Sequence, residues 1–425
     1  MAGQRRALII GGSLGGLFAA HFLRAIGWTV DVYERSAEDL AGRGAGLGTH
    51  DALMRLLRRI GIETELDLGV HTQQYILLDA RGSVSCRLGY PRVMTAWARL
   101  YRPLKDALPA QHYHPAKSLV GFSQDRDAIT ALFADGSHAS ADLLVAADGP
   151  RSTVRPLVLP ALKPDYAGYV AWRGLTAEAE VASEDRALLF ASNAFCIPGG
   201  ELAVSYPVPA RDGDLRPGRR DYNIVWYRPT GTDALADLNT DASGRRHEQI
   251  PPPLIRPEMI AAVKADARAL LAPAIAAIFA RAEQPIFQPI HDFAAPRLVF
   301  GRVALLGDAA FVARPHIGAG VTKAALDADC LADALAAHER VDDALAVYDR
   351  ERQRAGDWAV SRSREIGSCI SAEVAREAMP SAAAAGARAE RVFREYATLH
   401  HEVRDWAASA DERQSAELTG RRADR

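Results

Sequence analysis

The chain has 425 residues, of which 48% are hydrophobic and 24% are charged, and its formal net charge at pH 7 is −2. This length suffices for two or three packed units, and the near-balance of charge gives no electrostatic reason to expect a nucleic acid or an anionic membrane as a partner. No stretch approaches the ~20 uninterrupted apolar residues that a membrane-spanning helix needs.

The four cysteines are scattered and show no paired spacing that would suit a metal: Cys86, Cys196, Cys330 and Cys369. We therefore expect free thiols in a reducing compartment, and no bound metal. Residues 1–6 lead directly into the first predicted strand and leave no room for a signal peptide. The sequence predicts a cytoplasmic protein.

The first predicted elements are a strand at residues 7–10, a glycine-rich turn, a helix at 17–26 and a second strand at 29–33. This order is the dinucleotide-binding βαβ pattern, in which the turn places a pyrophosphate at the helix N-terminus. The turn residues expected to contact the ligand are Gly11, Ser13, Leu14, Gly15 and Gly16.

Glu34 ends the second strand and is placed to accept hydrogen bonds from ribose hydroxyls. An acid at this position, rather than an arginine, indicates an unphosphorylated adenosine ribose. Ser13 replaces the middle glycine of the pattern, and because serine disfavours positive φ the match is imperfect.

The next segment contains a second glycine-rich stretch at residues 42–48. No strand-terminal acid follows it at the right spacing, so we interpret it as a loop beside the ligand and not as a second dinucleotide site. Residues 51–60 predict a helix, residues 74–78 and 83–88 a hairpin, and residues 96–108 a helix that carries Arg99 and Arg102.

A second motif spans residues 142–155, where a buried strand ends in Asp148-Gly149 and a basic helix start follows. Taken alone, Asp-Gly indicates only a turn. From residue 166 to about 291 the pattern changes to strands at 168–175, 186–197, 202–207 and 223–227, followed by a helix at 254–278. This pattern predicts a sheet domain inserted between two halves of the first domain.

A third motif begins with an apolar strand at residues 303–306, after which Gly307 allows a sharp turn. Asp308 stands at the strand end, where a carboxylate can accept hydrogen bonds from ligand hydroxyls. Pro315, Gly318 and Gly320 then leave backbone N–H groups uncovered before a helix that starts near Val321. Helices are expected to about residue 337, at 341–360 and from residue 381 onward.

In this order and spacing, the three motifs resemble the FAD-dependent aromatic hydroxylases of the para-hydroxybenzoate hydroxylase type, over most of residues 5–370. The resemblance implies non-covalent FAD, with the first turn and Glu34 at its ADP half and Asp308 at its ribitol. Asp148 and Gly149 are then expected near the pyrophosphate and near the path of a transient NADH or NADPH. The backbone N–H groups of residues 318–321 are expected at the flavin pyrimidine edge.

The resemblance also implies that a helix arginine reaches the flavin phosphates, for which we choose Arg102; a solvated helix face is the alternative. The remaining expected cofactor contacts are Arg35, Arg43 and Pro315.

Three stretches are more narrowly similar to the 2,6-dihydroxypyridine 3-monooxygenase branch: residues 165–174, the N-terminal Gly-Gly-Ser, and residues 307–310 followed by Arg314-Pro315-His316. Phe311 stands where most of these hydroxylases have histidine. Residues 318–322 read Gly-Ala-Gly-Val-Thr in place of the usual Gly-Gln-Gly-(Ala/Met)-Asn.

In such enzymes reduced FAD traps oxygen as a hydroperoxide, and the protein supplies positioning, exclusion of water and a base. The candidates for catalysis are His50, His316 and Tyr206, each with a structural alternative: helix capping, loop orientation and core packing, respectively. Candidates for the substrate pocket are Arg173, Cys196 and Trp226.

The resemblance implies an enzyme that consumes NAD(P)H and molecular oxygen to hydroxylate a small hydroxylated aromatic or N-heteroaromatic ring. A hydroxypyridine is favoured, and a phenolic acid or a purine is the alternative. A flavin oxidase or dehydrogenase, or a non-catalytic FAD-binding protein, would share the same motifs. A homodimer is compatible with the sequence, which leaves the oligomeric state open.

The expected fold class is α/β. A Rossmann-like FAD-binding domain comprises residues 1–165 and 291–370, a β-sheet substrate domain comprises residues 166–290, and a C-terminal helical segment comprises residues 371–425.

Overall fold

The computed structural model describes residues 4–42, 46–62, 68–376 and 381–423. Its strands, in chain order, are β1 Arg6–Ile10, β2 Thr29–Tyr33, β3 Gly46–Gly48, β4 Val70–Leu78, β5 Val84–Ala96, β6 Tyr113–His114, β7 Leu119–Gln124, β8 Ile129–Phe133, β9 His138–Ala141, β10 Leu143–Ala146, β11 Asp165–Ala177, β12 Ser192–Cys196, β13 Leu202–Val208, β14 Asp221–Pro229, β15 Ile286–Ala294, β16 Val299–Phe300, β17 Val303–Leu305 and β18 Phe311–Val312.

The α-helices are α1 Leu14–Ala25, α2 Asp51–Arg59, α3 Trp97–Asp106, α4 Val154–Val158, α5 Ser183–Leu189, α6 Thr232–Leu238, α7 Pro257–Leu270, α8 Pro273–Arg281, α9 Gly320–Ala337, α10 Val341–Gly367, α11 Ala372–Arg376 and α12 Ala382–Ala423.

A six-stranded sheet brings the three sequence motifs together. Its order is β16-β17-β10-β1-β2-β6, and all neighbours are parallel except the β16–β17 pair. Strands β10 and β17 are apolar along their length, and β1 is apolar after Arg6, because helices such as α1 pack on the sheet. The motifs follow the carboxyl ends of β1, β2, β10 and β17, so they lie at one edge of the sheet, where α/β folds bind their ligands.

A nine-stranded sheet with the order β18-β15-β11-β14-β13-β12-β4-β5-β3 forms the second layer. Its neighbours are antiparallel except β12 and β4. Side chains alternate between its faces, as strand geometry requires. On β14, for example, Trp226 and Ile224 pack in the cluster that contains α7 and α8, whereas Val225 and Tyr227 belong to the main core on the other face.

Two predicted elements were wrong in extent. The strand expected at residues 186–197 begins as helix α5, whose first turn carries Glu184 and Asp185, and only β12 is extended. The single helix expected at residues 254–278 is two helices, because Pro273 cannot continue α7 and instead starts α8.

The division into domains stays a prediction. The sheet that we assigned to residues 166–290 also contains β3, β4 and β5 from the preceding segment. The C-terminal helix α12 packs against α2, α9 and α10, and its Phe393, Tyr396 and Leu399 are fully buried. The C-terminal segment is therefore part of the core of the molecule.

Candidate active site

In the glycine-rich turn after β1, neighbouring backbone leaves no space for a side chain at Gly11 or Gly16. A Cβ on Gly11, whose φ is +108°, would lie 2.4 Å from the carbonyl oxygen of Ala147, and a Cβ on Gly16 would lie 1.9 Å from the carbonyl oxygen of Gly11. Ser13 has φ −83° and ψ −175°, so this position does not need glycine and the expected mismatch disappears. Leu14 is buried in the first turn of α1, and Gly15 lies beside it.

Glu34 is buried at the end of β2, beside this turn. Its carboxylate accepts hydrogen bonds from the backbone N–H of Gly12 (2.8 Å) and from that of Ser36 (2.9 Å). These bonds hold the carboxylate at the mouth of the turn, where the ribose of a dinucleotide bound to α1 would lie.

Asp148 follows β10 and turns toward the start of α4. Its Oδ2 accepts hydrogen bonds from the N–H groups of Thr153 (2.7 Å) and Val154 (3.2 Å), while its Oδ1 is buried without a partner among the described residues. Burial raises the pKa of this carboxyl group. Gly149 has φ +80°, which glycine adopts without strain. One oxygen of Asp148 thus serves the fold, and the other makes no hydrogen bond to the described residues.

Asp308 follows β17 and is paired with a lysine that the sequence analysis missed. Nζ of Lys323 lies 2.9 Å from Oδ1 of Asp308, also donates to the carbonyl oxygen of Phe311, and sits 4.2 Å from the centre of the Phe311 ring. Lys323 is 2% exposed, whereas the side chain of Asp308 is 45% exposed. The lysine therefore fixes the carboxylate from behind and leaves its outer face accessible.

The loop between β18 and α9 turns at glycines beside a large cavity. Pro315 starts a short 3-10 helix, Gly318 has φ +66°, and Gly320 begins α9. With Val321, these residues line the cavity described below. We call the set formed by residues 11–16, Glu34, Asp148, Asp308 and residues 315–321 the cofactor cradle.

The arginines expected at the cofactor are less well placed. Arg102 is exposed on α3, and Arg35 is exposed and donates to the carbonyl oxygen of Arg151, at 3.5 Å. Arg43 lies outside the described residues. Among the described residues, no contact of Arg35 or Arg102 reaches the cofactor cradle.

A cavity of about 1030 Å³ opens beside residues 315–321, between the two large sheets. Ligand sites typically have volumes of ~300–1,000 Å³. We call this space the ring cavity. Its polar and aromatic wall includes Tyr75, Arg92, Arg173, Asn193, Phe195, Tyr206, Tyr227, His316, Tyr396 and His400.

Of the pocket candidates, Arg173 lines the ring cavity but Cys196 and Trp226 do not. Both are buried on the opposite face of the nine-stranded sheet, in the cluster with α7 and α8. Their neighbours in sequence, Phe195 and Tyr227, face the cavity instead. The two choices were therefore wrong by one residue, which on a strand means the wrong face.

Tyr206 lines the cavity and donates a hydrogen bond from its hydroxyl to the carbonyl oxygen of Gly46 (2.9 Å). Burial raises the pKa of this hydroxyl. Tyr206 thereby tethers β3, and a Cβ on Gly46 would lie 3.0 Å from its ring.

His50 does not line the cavity, contrary to its expected position facing the flavin. It precedes α2 without capping it, and both ring nitrogens are engaged: Nδ1 lies 3.1 Å from Oγ1 of Thr322, and Nε2 lies 3.2 Å from Nη2 of Arg92. Burial, together with the charge of Arg92, lowers the pKa of His50 well below its usual range. The geometry is that of a structural histidine.

His316 lines the cavity and is 5% exposed. Its Nε2 lies 2.8 Å from the hydroxyl of Tyr169, and its Nδ1 has no partner within the described part of the chain. Burial, with a smaller effect of the Arg314 charge, lowers the pKa of His316 to about 3. The ring is therefore neutral at physiological pH.

Arg92, Tyr75 and His400 form a cluster that the sequence analysis did not find. The Arg92 guanidinium donates to the Tyr75 hydroxyl (3.1 Å), which lies 2.7 Å from Nδ1 of His400, and Nε2 of His400 lies 3.2 Å from the carbonyl oxygen of His316. Burial lowers the pKa of His400 to about 3. Because His400 belongs to α12, the C-terminal helix is a wall of the site.

No group of three or more histidine, cysteine or acidic side chains is arranged to hold a metal ion in the described ranges. Over the same ranges, no helix is long and apolar enough to cross a membrane. All four cysteines are unpaired.

Comparisons with known proteins agree with this geometry. The profile of the FAD binding domain family matches residues 4–183 and 251–363, and an FAD binding domain-like profile matches residues 166–292. The 2,6-dihydroxypyridine 3-monooxygenase of Paenarthrobacter nicotinovorans is 32% identical over 85% of this chain and 91% of its own length. The FAD-dependent urate hydroxylase of Klebsiella pneumoniae is 30% identical over 82% of this chain and 85% of its own length.

Among solved structures, that of 2,6-dihydroxypyridine-3-hydroxylase from Arthrobacter nicotinovorans superposes with a TM-score of 0.80 at 29% identity, covering 89% of this chain and 96% of the other. The chain belongs to the FAD binding domain family, among the FAD-dependent aromatic hydroxylases. It is a flavin-dependent aromatic monooxygenase that uses FAD and an NAD(P)H donor, and the predictions of fold class, enzyme class and cofactor are confirmed.

Proposed function

We propose that this monooxygenase hydroxylates a small N-heteroaromatic ring that carries a hydroxyl group, with hydroxypyridines as its substrate class. The observation that carries the proposal is the ring cavity, which lies beside the loop 315–321 and combines aromatic side chains with charged ones such as Arg92 and Arg173. Phe195 and Tyr227 offer flat apolar surface to a planar ring, while Arg92 and His316 offer N–H groups to its oxygen substituents. The identity to the 2,6-dihydroxypyridine 3-monooxygenase supports the same substrate class.

The cofactor cradle fits FAD. The turn at Gly11 and Gly16 has space for backbone only, the carboxylate of Glu34 lies beside it, and one oxygen of Asp148 is buried without a partner. We assign the residues 11–16 and Glu34 to the ADP half, Asp308 to the ribitol, and residues 318–321 to the flavin ring. When bound, FAD supplies the electron transfer and the activation of molecular oxygen that no side chain can provide.

The chain's own contribution is to bind the ring, orient it and exclude water. The tyrosine-lined walls exclude water, and α12 closes one side of the cavity through Tyr396 and His400. We assign to His316 a hydrogen bond from Nδ1 to the ring, and we do not assign a catalytic role to His50, whose two nitrogens are engaged elsewhere. Tyr206 is assigned to holding β3 at the cavity wall.

A purine is the second candidate substrate class, favoured by the 30% identity to an FAD-dependent urate hydroxylase and by the size of the cavity. A phenolic acid is the third candidate substrate class. We further propose that molecular oxygen is the co-substrate, that the protein works in the cytoplasm, as its four free thiols suggest, and that a homodimer is its assembly.

The test is oxidation of NADH and of NADPH by the purified yellow protein, with and without hydroxypyridines, purines and phenolic acids. We expect a hydroxypyridine to give the strongest stimulation, with one atom of isotopically labelled dioxygen appearing in the product. Stimulation by purines alone would select the second class. Stimulation without labelled product, or no stimulation by any of the three classes, would contradict the proposal.

A further inference from the structure

Lys323 is a buried cation at a position that disfavours positive charge. It is 2% exposed and is the fourth residue of α9, which begins at Gly320. Removing an ammonium group from water is costly, and the free backbone N–H groups at a helix N-terminus repel a cation. A long side chain in a helix also leans back toward that N-terminus. A lysine at this position therefore requires negative charge close by.

The negative charge comes from Asp308. Nζ of Lys323 lies 2.9 Å from Oδ1 of Asp308, and its other printed bond goes to the neutral carbonyl oxygen of Phe311. Over the described ranges, Asp308 is the one carboxylate at ion-pair distance from this lysine. The side chain of Lys323 is 3% exposed and that of Asp308 is 45% exposed. The ion pair is therefore buried at its cation and open at its anion.

The ring of Phe311 fixes the ammonium group in place. Nζ of Lys323 lies over this ring, 4.2 Å from its centre, where an aromatic face attracts a cation. The ring is 1% exposed and packs directly on α10 at Gly356, where an added Cβ would lie 2.7 Å from it. Asp308 is thus held from behind by a positive charge that has little freedom to turn away.

A second buried cation contacts the same turn. Arg155 is 5% exposed, and its guanidinium donates to the carbonyl oxygen of Ala309 (3.4 Å). Burial lowers the pKa of Arg155, and the charges of Asp148 and Asp308 oppose that effect. Within the described part of the chain, no carboxylate accepts a hydrogen bond from Arg155. Residues 308–311 therefore contact two buried cations, of which one is bonded to a carboxylate.

The turn that carries Asp308 adjoins the glycine-rich turn after β1. A Cβ on Gly15 would lie 3.6 Å from the Cβ of Ala324, and a Cβ on Gly307 would lie 3.3 Å from the same atom. Because Ala324 directly follows Lys323, the two turns meet at the start of α9. The glycine-rich turn is assigned to the ADP half of FAD, whose diphosphate is negatively charged. Bound FAD thus brings negative charge close to a carboxylate, and like charges repel.

We infer that Lys323 is a positioning residue for FAD, whose positive charge offsets that of Asp308 so that this carboxylate can face the cofactor without repelling its phosphates. The inference rests on the proposed assignment of Asp308 to the cofactor cradle, and it is independent of the substrate class. Lys323 acts through Asp308 and through its charge, and it is not assigned a contact with the reacting atoms.

The first test separates the charge of Lys323 from its hydrogen bonds. FAD is removed from the purified protein and titrated back, and the dissociation constant is measured from flavin fluorescence. Lys323→Gln retains N–H donors for Asp308 and for the carbonyl oxygen of Phe311 but removes the charge. We expect FAD affinity to fall by about tenfold or more. An unchanged affinity would overturn the inference.

The matched control is Lys264→Gln. It makes the same exchange on α7, which packs on the face of the nine-stranded sheet opposite the ring cavity, and it should leave FAD affinity unchanged. Thermal unfolding of each protein without FAD shows that the variants are folded. If Lys323→Gln does not fold, Lys323→Met takes its place, because it also removes the charge while filling the space of the lysine stem with apolar atoms.

The second test is a compensating substitution. Asp308→Asn retains an oxygen that accepts hydrogen bonds but removes the negative charge that Lys323 offsets. When it is added to Lys323→Gln, the double variant should bind FAD more tightly than Lys323→Gln alone. A lysine that serves only to fill space or to support the turn predicts the reverse, since the double variant would then lose both contributions. FAD binding by the double variant that is equal to or weaker than that of Lys323→Gln would overturn the inference.

Failure of this inference is distinct from failure of the cradle assignment. Normal FAD retention in Asp308→Ala would contradict the assignment of Asp308 to FAD, and this inference with it. Weak FAD binding by Asp308→Ala together with unchanged binding by Lys323→Gln would contradict this inference alone. Both results are read from bound flavin and need neither turnover nor the substrate.

Discussion

The cofactor cradle and the ring cavity are built in different ways. Most of the proposed cradle follows strands of one parallel sheet, as Gly11, Glu34 and Asp308 do, so the proposed ligand contacts are backbone groups and strand-end carboxylates. In the ring cavity, Arg92, His316 and His400 come from β5, a loop and the C-terminal helix, and each is oriented by bonds to the others. A site made of backbone can be found as a local motif, whereas a site made of converging side chains cannot.

The two regions also differ in what they tolerate. The cradle depends on close backbone approach, where a single added carbon has no space. The ring cavity depends on hydrogen bonds with a fixed direction. Exchanging a hydrogen-bond donor for an acceptor therefore disturbs it more than a change in side-chain size does. Four substitutions or conditions test this difference.

Gly16→Ala should have the largest effect. Its Cβ would lie 1.9 Å from the carbonyl oxygen of Gly11, and backbone cannot move aside as a flexible side chain can. We expect the turn to be displaced and FAD affinity to fall by more than about hundredfold, corresponding to a loss of roughly 3 kcal/mol or more. Flavin absorbance per chain after gel filtration measures how much FAD each variant retains. Gly89→Ala, where a Cβ meets nothing within 4 Å, is the control, and equal flavin content in both variants would refute the explanation.

Acid should destabilise the protein through the cavity histidines. Unfolded histidine has a pKa of about 6.5, whereas burial lowers the pKa of His316 and of His400 to about 3. The unfolded chain therefore binds protons that the folded chain does not, so this stability is fully present above pH ~6.5 and is lost as the pH falls toward 3. At pH 5 the loss is roughly 2 kcal/mol for each histidine.

Thermal unfolding at pH 7 and at pH 5 measures this loss. His400→Gln removes one titrating group and should reduce the difference between the two conditions, while His138→Gln, on the surface, should leave it unchanged. An unchanged difference in His400→Gln would show that other groups cause the acid sensitivity.

Asp308→Ala should lower the affinity of the cofactor cradle for FAD without abolishing FAD binding. The carboxylate is expected to accept hydrogen bonds from ribitol hydroxyls, and loss of a hydrogen bond to a charged group costs roughly 1.5–3 kcal/mol, or about ten- to hundredfold in FAD affinity. Titration of the apoprotein with FAD measures this change. Normal FAD retention in Asp308→Ala would mean that the third motif does not bind the ribitol.

Tyr206→Phe should have the smallest effect. The lost bond to the carbonyl oxygen of Gly46 is neutral and worth about 1 kcal/mol, so FAD should stay bound and ring hydroxylation should fall less than about tenfold. Turnover and bound flavin are measured on the same samples. A fall of about hundredfold in turnover would instead give the hydroxyl a part in proton transfer.

The sequence located the segments of the proposed cradle because their signals are local. Residues 7–16, Glu34, residues 142–149 and residues 303–320 each combine an apolar strand with a glycine or an acid at its end, and the parallel sheet brings these ends together. It failed on the pocket because Cys196 and Trp226 are one residue from Phe195 and Tyr227, and the pleat sends neighbours to opposite faces. The correct face can be chosen only when it is known which side of the nine-stranded sheet α7 and α8 cover.

The amino-acid sequence by itself determined the α/β class, the order of the three cofactor motifs and the family of the enzyme. These depend on apolar periodicity and on glycine at positions that admit no side chain, both of which are properties of short segments. Only the tertiary structure decided that His50 is engaged by Arg92 and Thr322, that His316 presents an N–H, and that His400 from α12 lines the cavity. The physical reason is that the protonation of a histidine and the partner of an arginine are set by atoms that lie far away in the chain and meet only after folding.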